Sequence, residues 1–241
     1  IQAVGAAGTG ASYWAVGDKI GIAVNGTFGG LTLNQTVYAF ILGFNHNQSV
    51  EGNGIDFQFG KTADGRDIAF VQSYGSTGTG FCMNTSNTNS GGWKSSQMRT
   101  NICGTSLSSY SGTIIAVIPS SLREVLKSVT KYTDNVGGGS MEASNVTATT
   151  DYFFLLSEYE VLGRISKANA NEASKQAQYA YYSAGNSRIK YKHNGTSDAA
   201  LWWLRSPYAR ADEIFMRMYT DGTSAFDYAN NSLGFAPGFC V

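Results

Sequence analysis

Ala200-Leu201-Trp202-Trp203-Leu204-Arg205-Ser206-Pro207 opens the C-terminal stretch that decides how this chain is read. It runs on through Tyr208-Ala209-Arg210-Ala211-Asp212-Glu213-Ile214-Phe215-Met216-Arg217-Met218-Tyr219-Thr220-Asp221-Gly222-Thr223 and closes with Ser232-Leu233-Gly234-Phe235-Ala236-Pro237-Gly238-Phe239-Cys240-Val241. The flanks have the make-up of scaffold: a double Trp, an Arg-Ser-Pro corner, and an apolar closing strand broken by Gly and Pro. The middle, residues 208–231, keeps neither a helical nor a strand period. Aromatic and Arg side chains bury much contact area at low entropy cost, which is what a binding surface uses. The candidate ligand-binding residues are therefore Tyr208, Arg210, Ala211, Asp212, Glu213, Ile214, Arg217, Tyr219, Phe226, Asp227 and Tyr228. An ordinary hairpin with loosely patterned strands would give similar text. Trp202, Trp203, Arg205 and Pro207, between an apolar run and a corner, read as core rather than as ligand contacts.

Composition narrows the classes. A chain of 241 residues suits one large domain, or two small ones, with a substantial core. Charged residues make up only 14% and the net charge is zero, with no basic stripe, so nucleic acid is not an expected partner. The load of Gly, Ser, Thr and Asn, with many Tyr and Phe, points to a loop-rich α+β or all-β protein. The best apolar run, Ile114 to Ile118, is strand-sized and stops at Pro119, so no membrane insertion is expected. No signal-peptide pattern follows Ile1. Cys82, Cys103 and Cys240 lack metal or redox spacing and read as buried free thiols.

Along the chain, residues 1–11 are small and permissive and read as a linker, which would hang the domain on the end of a larger protein. Ile20, Ile22 and Val24 alternate as in a strand, and Val37 to Phe44 is apolar throughout, as in a strand buried on both faces. Ile55–Phe59 and Ile68–Val71 flank Ala63-Asp64-Gly65-Arg66, a hairpin signal. Residues 73–92 read as surface loop, and Trp93 to Cys103 as a helix. Ile114–Ile118 reads as a strand entering a helix over Ser121–Lys131, where Ser121 and Glu124 have capping-box spacing. Tyr152–Leu156 suggests another buried strand, and Asn171–Tyr182 a second main helix.

Catalytic chemistry is hard to find. His46 and His193 are isolated, with no convergent metal-ligand spacing, so no metal and no cofactor are expected. Glu158 and Glu160 stand two apart on what reads as a strand; paired carboxylates can hydrolyse glycosides, but a solvated strand edge looks the same. There is no nucleophile elbow and no P-loop.

The Trp202-to-Pro207 start, the Thr220-Asp221-Gly222-Thr223 turn and the Gly234-Phe235-Ala236-Pro237 close resemble domains of the C-type lectin fold. Gly43-Phe44-Asn45-His46-Asn47, Gly91-Gly92-Trp93-Lys94, Lys131-Tyr132-Thr133-Asp134-Asn135 and Gln176 to Tyr182 extend the likeness over nearly the whole chain from Ser12. In particular they resemble the variable proteins of diversity-generating retroelements of gut bacteria and their phages. The resemblance implies a single α+β domain over residues 12–241, with a mixed, mostly antiparallel sheet, two main helices, long loops, and the N- and C-terminal strands side by side. It implies non-catalytic binding of a protein or glycan on a target cell, from a virion or bacterial surface, through a hypervariable segment at 208–231. In that family template Asn codons are miscopied at adenine, which can yield Tyr, Arg, Asp, Ala, Ile, Phe, Ser or Asn but not Glu, Gln, Lys, Met or Trp. The calcium-binding sugar motif of animal C-type lectins and the cysteine pair of the formylglycine-generating relatives are absent. A glycan- or wall-acting hydrolase on the same scaffold, using Glu158 or Glu160, and a purely structural virion or surface subunit are the alternatives.

Overall fold

The structure, a computed structural model, describes all residues from 1 to 241. The strands run β1 Lys19–Phe28, β2 Leu31–Phe44, β3 Ile55–Lys61, β4 Ile68–Ala69, β5 Val129–Asp134, β6 Val146–Asp151 and β7 Phe153–Phe154. They continue with β8 Lys190–Lys192, β9 Gly195–Ala200, β10 Trp202–Pro207, β11 Ile214–Met218, β12 Ser224–Tyr228 and β13 Gly238–Cys240. Helices are single turns or little more: α1 Gln2–Ala6, α2 Gln48–Glu51, α3 Gly92–Ser95, α4 Ile114–Val117, α5 Ser120–Arg123, α6 Glu158–Leu162 and α7 Ala180–Ser183. The architecture is α+β, with a five-stranded sheet in the order β1-β2-β3-β13-β7 and smaller sheets β10-β11-β12, β4-β8-β9 and β5-β6. Every pairing is antiparallel except β4 with β8.

The alternation of β1 and the apolar run of β2 do what their patterns require. Ile22, Val24 and Phe28 turn inward from β1, and Ala39 to Leu42 are buried together in β2. An aromatic core fills the space behind the sheets, with Phe28 stacked on Phe81 at 5.5 Å and Phe57 on Phe239 at 5.3 Å. Burying such rings is the main favourable term in folding a chain with so few charges. The three cysteines are free and buried.

Several local readings are corrected. Residues 1–11 form α1 and a turn of 3-10 helix at Gly10–Ser12, not an extended linker. Their small side chains serve close packing: a Cβ on Gly5 would lie 2.7 Å from the Val241 carbonyl oxygen, and one on Gly10 would meet the Phe44 ring. β1 and β13 share a sheet but are separated by β2 and β3, so the terminal strands are not neighbours. Ile114–Val117 is helical, because a short buried apolar run has no period that separates strand from helix. The helix placed over Ser121–Lys131 is only α5; Val129 and Lys131 belong to β5, and Pro119 rather than a Ser–Glu box precedes the turn. Arg123 clamps that turn by donating to the Ile115 and Ile118 carbonyls.

The segment 171–182 is likewise not one helix. A 3-10 segment, Ala170–Lys175, is followed by an extended break before α7. Long-range bonds impose the break: Gln176 donates to the Tyr132 carbonyl, Gln178 to that of Val161, and the Tyr179 N–H to that of Glu160. Trp93 to Cys103 divides into α3 and a π-helical turn at Met98–Cys103, although Trp93, Met98 and Ile102 do face the core. The hairpin after β3 exists only at its base, where Lys61 bridges Asp67; β4 then leaves to pair with β8. Residues 73–92 are only partly surface, since Phe81, Met83 and Asn89 are buried.

Candidate functional site

The segment 208–231 is built around the β11–β12 hairpin, which β10 joins to the core. Ile214 pairs with Tyr228, Met216 with Phe226 and Arg217 with Ala225. Within the hairpin Phe215, Met216 and Met218 are fully buried, as is Ala229 just after it. None of the eleven candidates is. Arg210, Asp212, Tyr219, Phe226 and Tyr228 are exposed, while Tyr208, Ala211, Glu213, Ile214, Arg217 and Asp227 are half-buried. Tyr219, Phe226 and Tyr228 are among the few large apolar side chains left open, at 43%, 38% and 50%.

The candidates divide into three groups. Strand alternation and cross-strand pairing place Ile214, Phe226 and Tyr228 on one face of the hairpin. Tyr208 joins them, its ring 4.8 Å from that of Phe226, and the Lys167 ammonium lies over the Phe226 ring at 4.7 Å. On the opposite face Arg217 Nε donates to Asp227 at 2.8 Å, and its guanidinium lies over the Tyr219 ring. Arg210, Ala211, Asp212 and Glu213 form the connection between β10 and β11. Lys167 was missed in the sequence, because nothing in its neighbourhood marks it as packing on Phe226.

What holds this segment is backbone, bonded from beneath. The buried Asn89 donates from its amide nitrogen to the Ala211 and Ile214 carbonyls at 2.7 and 2.9 Å, and its N–H reaches the Asp212 carbonyl at 2.6 Å. Ala209 N–H donates to the Lys167 carbonyl and Ala229 N–H to that of Glu213. None of these bonds uses a candidate side chain. Asn89 sits in a Gly/Ser/Asn-rich stretch where an isolated buried amide leaves no sequence signal.

β10 itself is scaffold. Trp202, Trp203, Arg205 and Pro207 are all buried. Trp203 Nε1 donates to the Phe81 carbonyl at 2.9 Å. Arg205 clasps both carboxylate oxygens of Glu160, with Nη2 to Oε1 at 2.9 Å, and donates further to Thr133 and to the Leu155 carbonyl. Glu160 also receives Lys131 at 3.2 Å and the Ser157 N–H at 2.9 Å. Ser157 and Glu160 form the one reciprocal capping box, at the start of α6. Burial alone would raise the Glu160 carboxyl; Arg205 and Lys131 outweigh it and hold the group well below the usual carboxylate range.

Glu158 and Glu160 are therefore neither on a strand nor solvated. Glu158 is also buried, accepting from the N–H groups of Ser166, Lys167 and Ala168 and from the Ser166 hydroxyl. Neither lines any of the five main surface depressions. Both act as structural anchors.

The fold does gather His46, Glu51 and Glu160, whose ligand atoms lie within 4.8 Å of one another, a convergence that spacing along the chain did not show. The donor set does not fit a metal ion. Lys131 lies 2.7 Å from Glu51 and 3.2 Å from Glu160, and Arg205 takes the rest of Glu160, so fixed cations already occupy the place an ion would need. His46, stacked on Tyr179 at 3.7 Å, is kept down to about 3 by burial and by Lys131, and so is neutral at physiological pH.

A different buried cation has no such partner. Lys190 is buried with its ammonium 5.3 Å from the Phe40 ring and 5.1 Å from that of Trp202, while Asp67 beneath is already paired with Lys61 at 2.8 Å. Burial pushes Lys190 down to about 8. A folded-state value below the unfolded one means that the penalty is full below pH 8 and fades as pH rises towards about 10.4. Lys190→Met is expected to stabilise the protein by about 3 kcal/mol at pH 7 and by far less at pH 10. Urea unfolding of both proteins at the two pH values checks this, and equal stability at pH 7 would refute it.

No helix is long and apolar enough to cross a membrane. No curated protein and no solved structure matches the chain. A family model described as "Domain of unknown function (DUF6273)" matches residues 76–241, which take in α3 to α7, β5 to β13 and the whole of the candidate surface. With well over half of its length matched, the chain belongs to the DUF6273 family.

Proposed function

We propose that this domain is a non-catalytic binder of the C-type lectin-like, retroelement-diversified kind. It engages a protein or glycan on a target cell, from a virion or bacterial surface, through the side chains of the β11–β12 hairpin and the turn before it. One observation carries the reading: all eleven candidate side chains reach the surface, while the backbone of the turn beneath them is held by Asn89 and by main-chain bonds that use none of those side chains, Asp227 alone reaching back to the Tyr228 N–H. Such a surface can change chemistry without changing shape. The rigid aromatics supply contact area and Arg, Asp and Glu supply directional selectivity.

Codon chemistry adds support. Glu213, Met216 and Met218 cannot arise from a miscopied Asn codon; both Met are fully buried, and Glu213 is half-buried. Tyr208, Arg210, Asp212, Tyr219, Phe226 and Tyr228 can, and all reach solvent. Deep sequencing of this locus across one population is the test. Sibling copies are expected to differ mainly within 208–231, at the open positions, with Glu213, Met216 and Met218 varying less and Trp202, Trp203, Ser206, Pro207 and residues 234–241 constant. Differences spread evenly along the chain would remove the reading.

A further inference from the structure

We propose that the ligand presents an extended polypeptide segment, which adds to the free edge of β12 as a fourth strand of the β10-β11-β12 sheet. This rests on the binding reading above and names the class of ligand. β12 has β11 as its only neighbour. Ala229 N–H donates to the Glu213 carbonyl at 2.8 Å, and Tyr219 N–H to that of Thr223 at 2.7 Å. In an antiparallel register these bonds recur at every second residue, so Ala225 and Asp227 also turn their backbone groups towards β11. Ser224, Phe226 and Tyr228 turn theirs outward. Tyr228 is satisfied locally, its N–H by the Asp227 carboxylate at 3.0 Å and its carbonyl by the Asn231 N–H at 3.0 Å. The N–H and C=O of Ser224 and of Phe226 have no partner.

This window is bounded at both ends. The chain after β12 is covered by residues 76–78, which bond to Asn230 and Ser232, and the Ser224 hydroxyl meets that of Ser166 at 3.2 Å. What the window offers is a donor and an acceptor repeating every second residue, about 7 Å apart. An extended polypeptide repeats the same groups at the same spacing; a sugar chain has no such register. Natural sheets usually blunt an open edge with Lys, Pro or a bulge, and Ser224-Ala225-Phe226 has none of these. An added strand would lie beside Phe226 and Tyr228 on one face of the sheet and Asp227 on the other. Main-chain bonds would then supply affinity whatever the side chains are, and the side chains would select the sequence.

The test selects binders to the whole chain from a displayed library of random linear dodecapeptides, then measures them against variants. Phe226→Pro removes the outward N–H and leaves the β11 ladder intact, because that N–H does not point to β11. Phe226→Ala keeps the N–H and removes the ring. Phe226→Pro is expected to weaken binding about tenfold more than Phe226→Ala does. Single N-methylation along the peptide needs no protein variant, and it should abolish binding at alternate residues only. Equal binding to the two variants, N-methyl losses without alternation, or a library that yields no linear binder would each overturn strand addition. If Arg210→Ala and Tyr228→Ala still abolish binding in the first two cases, the binding surface stands and strand addition alone fails.

Discussion

Trp203→Ala is expected to cost about 3–5 kcal/mol and to lower the melting temperature sharply, because a fully buried ring is replaced by a cavity. The loss goes beyond area. Trp203 Nε1 satisfies the Phe81 carbonyl and its own N–H bonds to Gly234, so truncation loosens the seam between β10 and the segment after β12. Alanine at Arg210, Asp212, Tyr219 and Tyr228 should change stability by no more than about half a kcal/mol each, since all four are exposed. Arg217 is left out because its guanidinium is paired with Asp227 and mostly covered. Denaturant unfolding of the two variants separates the roles. If the four-site variant unfolds and the Trp203 variant does not, scaffold and surface are exchanged.

Glu160→Ala should be as costly, about 3–5 kcal/mol, for a different reason. Removing one member of a buried charge network leaves its partners charged and dry. Arg205 would lose both carboxylate contacts, Lys131 one of its partners, and α6 its cap. Glu160→Gln, which keeps shape and part of the cap, should lose less. Adding Arg205→Met to Glu160→Ala should restore part of the loss, and a double-mutant cycle reads that coupling directly. Because the carboxyl is held low in the folded state, its contribution is present above about pH 4.3 and drains away as pH falls below that value. The Glu160→Ala protein should therefore show a shallower acid limb than the parent; parallel limbs would mean that Glu160 contributes little through its charge.

What could be read from sequence follows the range of the interaction that decides each feature. The alternation of β1, the unbroken apolar run of β2 and the burial of Trp202 and Trp203 are set by local pattern, and they were legible. The two main helices were not, because long-range bonds cut them short: Gln176 reaches the Tyr132 carbonyl, and Lys127 the carbonyls of Glu51 and Asn53. Glu158 and Glu160 looked like a polar strand edge for the same reason. Their partners lie as far off as Lys131 and Arg205. At the candidate surface, the mixed pattern of 208–231 reflects a hairpin partly covered on both faces: Phe215 on one and Met216 and Met218 on the other are fully buried, so burial does not follow the alternation. Which residues open outward was visible in their chemistry; the buried amide that supports them was not.

The order of the segments along the chain has one last consequence. Residues 208–231 are followed by β13, which lies inside the five-stranded sheet between β3 and β7 and takes Phe239 into the aromatic core. A chain that ends anywhere within 208–231 therefore lacks not a dispensable tail but an interior strand. It leaves β3 and β7 unpaired along that side and the Phe57 ring without its stacking partner. Such a chain cannot close its core, to which Phe239, Cys240 and Val241 belong. Folding thus depends on a reading frame that stays intact past the candidate surface.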